Sequence, residues 1–254
     1  MKATTLILLT LAAAIPGTRA ADAGKATKPA IVLVHGAFAD GSGWRHVIPL
    51  LEKDGYTVTA VQNPLTSLAD DVATTRRAIE AQKGPVVLVG HSYGGAVITA
   101  AAVGVPQVKA LVYVAAFAPD TTDSLGSLLK SMAPSDIEPA LVPDSGGFLS
   151  IDPEKFHDVF AKDVSRSEAR ILAVTQKPIF GPIFETKGPG AAWKTIPSWY
   201  LVATEDRAIN PDLQRFMAKR MGAAISETKA SHVPFITRPR EVARIINAAA
   251  TGNR

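Results

Sequence analysis

A serine hydroxyl becomes a nucleophile only when a base takes its proton and a third group holds that base in place. The pentapeptide Gly90-His-Ser-Tyr-Gly94 offers such a serine. It follows Val86 to Gly90, a continuous apolar run that suits a strand buried on both faces, and it leads into the small, apolar stretch Gly94 to Ala102, which suits a tightly packed helix. A bare Gly-x-Ser-x-Gly pattern arises often by chance. At a strand-to-helix turn it places Ser92 on a sharp, strained bend with its hydroxyl clear of the sheet, and the flanking glycines let strand and helix approach closely. The spacing therefore predicts Ser92 as the nucleophile.

The chain has five histidines. His35 and His91 precede Gly and Ser at strand ends and read as packing or supporting residues, while His46 and His157 fall in helical stretches and read as solvated. His232, in Ala230-Ser-His-Val-Pro234, follows the last predicted strand and is the candidate base. For the acid, Asp206 in Thr204-Glu-Asp-Arg207 lies just beyond a strand, with Asp120 and Glu205 as rivals. Glu205 otherwise reads as a loop carboxylate facing solvent or Arg207, and Asp70, Asp71 and Asp152 as first-turn helix charges that the helix dipole explains. Acyl chemistry also needs donors for a developing oxyanion. The backbone N–H of Tyr93 is one, and the turn His35-Gly-Ala-Phe38 supplies the second at Ala37.

These residues need a scaffold, and the apolar patterning supplies one. Ala30 to Val34 reads as a first buried strand, Trp44 to Lys53 as a helix, Tyr56 to Val61 as a strand, and Leu68 to about Gln82 as a helix capped by Ser67. After the serine turn, Val108 to Ala116 is a further strand. The alternation predicts an α/β fold: a mostly parallel sheet with helices on both faces. It lapses between Asp120 and about Lys194, where two helical patches (Ser124 to Met132 and Pro153 to Val174) and no convincing strand predict an inserted helical cap. Regular order resumes with a strand at 197–203, a helix at 211–221, a strand at 224–229 and a helix at 239–250. The expected organisation is core 21–118, cap 119–194 and core 195–254. Apolar cap residues, among them Leu125, Leu128, Leu129, Met132, Phe148, Phe156, Phe160, Ile171, Phe180 and Phe184, are expected to divide between the cap's own core and an apolar pocket.

Lys2, the apolar run Leu6 to Ile15 and the small-x-small site Thr18-Arg-Ala20 read as a cleavable secretory signal peptide over residues 1–20, so a periplasmic or secreted protein is expected. The run is too short for a permanent membrane span. The formal charge of +4 falls to +2 without Lys2 and Arg19, and no basic run or basic–aromatic interleaving suggests nucleic acid. With no cysteine, thiol nucleophiles, disulfides and thiolate metal sites are excluded. No phosphate loop, His-Glu-x-x-His or Gly-x-Gly-x-x-Gly element occurs, so neither a nucleotide nor a metal cofactor is expected.

Across residues 30–250 the sequence resembles the α/β-hydrolase superfamily. The stretches His35-Gly-Ala-Phe-Ala-Asp-Gly-Ser-Gly-Trp44, Gly90-His-Ser-Tyr-Gly-Gly95, Thr204-Glu-Asp-Arg-Ala-Ile-Asn-Pro211 and Ser231-His-Val-Pro234 are similar to the branch holding plant methyl-ester esterases, hydroxynitrile lyases and bacterial carboxylesterase and pyrethroid-hydrolase-like enzymes. The resemblance implies Asp206 as the acid and Ala37 as an oxyanion donor. Lyases of that branch carry threonine at the position of Gly36 and lysine directly after the catalytic histidine, where this chain has Val233, so the resemblance implies an esterase. The expected activity is hydrolysis of small to medium, hydrophobic carboxylic esters through Ser92, His232 and Asp206. A ligand-binding receptor on the same scaffold, or cleavage of a lactone, amide or C–C bond, are the alternatives, because fold alone does not set chemistry.

Overall fold

The computed structural model describes residues 28–253; the expected signal peptide lies outside them. Along the chain run β1 (Ala30–Val34), a 3-10 turn (Gly41–His46), α1 (Ile48–Lys53), β2 (Val58–Val61), α2 (Leu68–Glu80), β3 (Val86–His91), α3 (Tyr93–Ala101) and β4 (Val108–Val114). Next come α4 (Leu125–Lys130), β5 (Leu141–Pro143), β6 (Phe148–Ile151), α5 (Pro153–Val159), α6 (Arg166–Thr175) and β7 (Ile179–Phe180). The chain closes with β8 (Ser198–Ala203), α7 (Pro211–Arg220), β9 (Ala224–Thr228), α8 (Pro234–Thr237) and α9 (Pro239–Thr251).

Six strands form one parallel sheet in the order β2-β1-β3-β4-β8-β9. The chain moves from β1 outward to β2 and then returns to the other side of β1 as β3. Right-handed crossovers then place α1 on one face and α2 and α3 on the other, and α1 duly packs with α9 while α2 packs with α3. Covered on both faces, β3 is buried along its whole length, as its uninterrupted apolar sequence requires. The reversal of strand order between β1 and β3 leaves a crevice at their carboxyl ends, the place where open α/β sheets bind ligands.

Two local departures from expectation have clear causes. The helix expected from Trp44 to Lys53 is a 3-10 turn followed by α1, because Pro49, which has no N–H to donate, occupies the first turn of a new helix. The cap expected to be helical also contains a three-stranded antiparallel sheet, β5-β6-β7. Its strands have three, four and two residues, too short to leave an alternating pattern in the sequence. The helical patch 153–174 is two helices, α5 and α6. The second starts afresh at Ser165, whose hydroxyl accepts the Glu168 N–H.

Candidate active site

Ser92 caps the end of β3 with φ +52° and ψ −125°, a conformation that a non-glycine residue holds only when its surroundings impose it. Strand and helix meet so tightly here that a Cβ on Gly90 would stand 2.5 Å from the Gly94 carbonyl oxygen, and one on Gly94 equally close to that of Val34. The Ser92 hydroxyl points to His232, with Oγ 2.8 Å from Nε2. On the other side of the ring, Nδ1 lies 2.7 Å from Asp206 Oδ2. All three residues are buried. Because an ionised carboxylate only accepts, the ring proton sits on Nδ1 and leaves Nε2 free to accept from the serine.

Asp206 is held by more than histidine. Its Oδ1 accepts the Ala208 and Ile209 N–H groups at 2.7 and 2.9 Å, and Oδ2 also accepts Gln214 Nε2 at 2.7 Å. Gln214, fully buried on α7, is in turn fixed by the Ala203 N–H and the Ile209 carbonyl. The rival carboxylates lie elsewhere. Asp120 pairs with Lys194, and Glu205 pairs at 3.5 Å with Lys229 rather than Arg207, which bonds Asp136.

His91 and His35 support the site, as their positions suggested. His91 is fully buried, and its Nε2 donates to the His232 carbonyl at 2.8 Å while its ring packs, tilted by 52°, with its centroid 4.7 Å from that of the His232 ring. Burial drives its pKa well below the usual histidine value, so it is neutral. His157, expected in solvent, is instead half-buried and bonded to the Val164 carbonyl on the cap. Of the first-turn carboxylates, Asp152 does cap α5 and Asp70 is exposed, but Asp71 is fully buried against the Tyr93 hydroxyl at 2.6 Å. Nothing in the local sequence separates Asp71 from Asp70, and nothing marks Gln214. Both find their partners only through tertiary packing.

Ser92 and His232 open on a cavity of about 230 Å³ between core and cap. Ala37 and Tyr93 line it beside the serine. As the first residue of α3, Tyr93 has no carbonyl one turn back to take its N–H. The walls are mostly apolar, from Phe38, Phe117, Leu129, Ile137, Phe160 and Phe184, with Lys130, Glu138 and Glu185 as its charged side chains. Of the apolar cap residues, Leu129, Phe160 and Phe184 line the cavity and Leu125, Leu128 and Phe156 are core, the division expected, while Ile171 is exposed. A hydroxyl, an imidazole and a carboxylate linked in this order can transfer a proton from the serine as it attacks an electrophilic carbon.

Comparison with known proteins agrees with this architecture. A model of the alpha/beta hydrolase family matches residues 31–245. The chain is 30% identical over 246 residues to alpha/beta hydrolase nvfD of Aspergillus novofumigatus, covering 88% of this chain and 97% of that protein. It is also 30% identical over 247 residues to Methylesterase 2 of Arabidopsis thaliana, covering 84% and 92%. Among solved structures, a pyrethroid hydrolase from Sphingobium faniae superimposes with a TM-score of 0.75 at 25% identity, covering 89% of this chain and 98% of that one. The chain belongs to the alpha/beta hydrolase family.

Proposed function

We propose that the protein is a serine carboxylic-ester hydrolase acting on small to medium, hydrophobic esters. The observation that carries this reading is the continuous Ser92–His232–Asp206 hydrogen-bonded chain, at 2.8 and 2.7 Å, opening onto a mostly apolar cavity of about 230 Å³. Ser92 Oγ attacks the ester carbonyl carbon as His232 Nε2 takes its proton, and the carbonyl π pair moves onto oxygen. The N–H groups of Ala37 and Tyr93 stabilise that oxyanion. Collapse of the tetrahedral intermediate breaks the carbon–oxygen bond, and the imidazolium proton leaves with the alcohol. Water then gives a proton to His232 while its oxygen attacks the acyl-enzyme, and a second collapse returns the proton to Ser92 and releases the acid. Asp206 orients the imidazole and stabilises its charged form throughout.

The names of similar proteins, a methylesterase and a pyrethroid hydrolase, support ester chemistry. Two local features favour hydrolysis over cyanohydrin cleavage. A Cβ at position 36 would stand 2.6 Å from Ser92 Cβ, leaving no space for a threonine, and the buried Val233 offers no cation beside His232.

The deciding experiment is turnover of a graded panel of aryl esters by the protein and by Ser92→Ala. Loss of several orders of magnitude in kcat is expected in the variant, with the chain-length optimum reporting the cavity size. Equal, feeble rates in both proteins would remove the reading.

A further inference from the structure

The two backbone donors assigned to the oxyanion belong to different elements, Ala37 after β1 and Tyr93 at the start of α3. A buried polar path joins them. The His35 ring donates from Nδ1 to the Gly36 carbonyl at 2.8 Å, and its Nε2 accepts the Asn63 N–H at 2.9 Å. That N–H fixes the tautomer, and burial, which lowers the His35 pKa to about 4, keeps the ring neutral. Asn63 Nδ2 returns to the His35 carbonyl at 3.3 Å. Two residues on, Leu65 adopts φ +62°, and its N–H donates to Asp71 Oδ1 at 2.8 Å. The other oxygen, Asp71 Oδ2, accepts the Tyr93 hydroxyl at 2.6 Å. His35, Asn63, Leu65, Asp71 and Tyr93 are all buried. The cap touches this path at two points: Lys177 donates to the Asn63 carbonyl, and the Phe180 N–H to the Leu65 carbonyl at 2.9 Å.

A buried carboxylate is costly unless its charge is used. Here one carboxylate ties the left-handed Leu65 to the phenol of Tyr93, the residue that lines the cavity beside Ser92. The hydrogen bonds of Asp71 go to the Leu65 N–H and the Tyr93 hydroxyl, not to the Ser92, His232 or Asp206 side chains. From this geometry we propose that Asp71 is a positioning residue. By clamping Tyr93 to the Asn63–Leu65 segment, which also holds the His35–Gly36 turn, it sets the spacing of the Ala37 and Tyr93 N–H groups. The inference rests on the esterase reading, and its loss is distinguishable from loss of that reading, because Ser92→Ala tests the latter independently.

The test compares Tyr93→Phe, Asp71→Ala and Asp71→Asn. Each is assayed for kcat and KM on an aryl ester, for inhibition by an aryl trifluoromethyl ketone that adds to the serine as a hemiketal oxyanion, for binding of the neutral aryl alcohol product, and for melting temperature. Tyr93→Phe and Asp71→Ala are expected to lower kcat about 10- to 100-fold with KM nearly constant, less than the roughly 10²- to 10³-fold cost of removing an oxyanion donor outright. Trifluoromethyl ketone affinity should fall in parallel, while affinity for the alcohol stays within threefold. Asp71→Asn can still accept from Leu65 and donate to the phenol oxygen, so it should recover most of the loss. If Asp71→Ala does not fold, Tyr93→Phe, which removes one oxygen atom, decides alone. Wild-type kcat in a folded Tyr93→Phe, or a fall in which ketone and alcohol affinities drop together, would overturn the proposal.

Discussion

Replacing Asp206 with asparagine changes one atom, and the structure says where that atom must go. Four donors converge on the carboxylate: the Ala208 and Ile209 N–H groups on Oδ1, and Gln214 Nε2 and His232 Nδ1 on Oδ2. An asparagine has one oxygen for all four. The two backbone donors cannot turn away, so the oxygen takes the Oδ1 position and the amide nitrogen faces Gln214 and His232. Gln214 cannot flip in response without abandoning the Ala203 N–H and the Ile209 carbonyl. His232 must then accept at Nδ1 and carry its proton on Nε2, facing the Ser92 hydroxyl. That tautomer cannot take the serine's proton. The same exchange in a serine protease of unrelated fold lowers kcat about 10⁴-fold, a barrier increase of about 5 kcal/mol. A loss of that order is expected here in steady-state aryl-ester kinetics between pH 6 and 9, with thermal melting as the check on folding. Asp206→Ala should behave differently, because the four donors then surround a hole shaped for a carboxylate. Added formate should restore part of its activity and none of the asparagine variant's. A folded Asp206→Asn keeping more than about a tenth of wild-type kcat would refute the tautomer argument.

Two further outcomes follow from buried groups at the site. His35, with its pKa near 4 in the fold against 6.5 unfolded, and His91, held well below the usual histidine value by burial, both stay neutral. Below pH 6.5 the unfolded chain therefore binds protons that the folded one refuses. The stability these two histidines confer is complete above that pH and drains as pH falls toward 4, opposed by Asp71, whose carboxyl burial raises. From pH 7 to 5, His35 alone should remove about 2 kcal/mol in urea titrations. A flat profile would sink this, and His35→Gln should reduce the slope. Phe160 is buried against Phe38, Phe156 and the His232 ring while also walling the cavity. Phe160→Ala should cost about 3–5 kcal/mol of stability and shift the ester-length optimum upward, and an unchanged optimum would remove Phe160 from the pocket wall.

The parts of this molecule legible in its sequence are those whose signal is local. The strands β1, β3, β4 and β8 are buried on both faces over most of their length, so each contains a run of apolar residues that needs no partner to be recognised. The serine turn is equally local: its glycines, its strained serine and its helix all fall within a dozen residues. Histidine and acid are legible by a weaker signal, their position just after a strand. In an α/β sheet that places a side chain at the carboxyl edge, and it sufficed to bring Ser92, His232 and Asp206 within hydrogen-bonding distance of one another. The cap had no comparable signal. Strands of two to four residues are set by the chain packed beside them, and the break between α5 and α6 is a segment whose Asp163 bonds the Ser231 and Thr237 hydroxyls on either side of His232.

The polar residues beneath the site were illegible for a related reason, and the reason bears on how such sites work. Asp70 and Asp71 are identical in type and adjacent, but a helix turns about 100° per residue, so one faces solvent and the other the Tyr93 phenol. Gln214 likewise sits in a helix of otherwise charged and apolar residues, with its amide turned inward to Asp206. A reacting group must be held within a fraction of an ångström, and a loop at a strand end cannot hold itself that well. The constraint comes from side chains on neighbouring helices, Asp71 on α2 behind the serine turn and Gln214 on α7 behind the acid loop. Local sequence thus names the groups proposed to touch substrate, because strand ends put them beside the cavity. What holds them is distributed over helices whose register only the folded core decides.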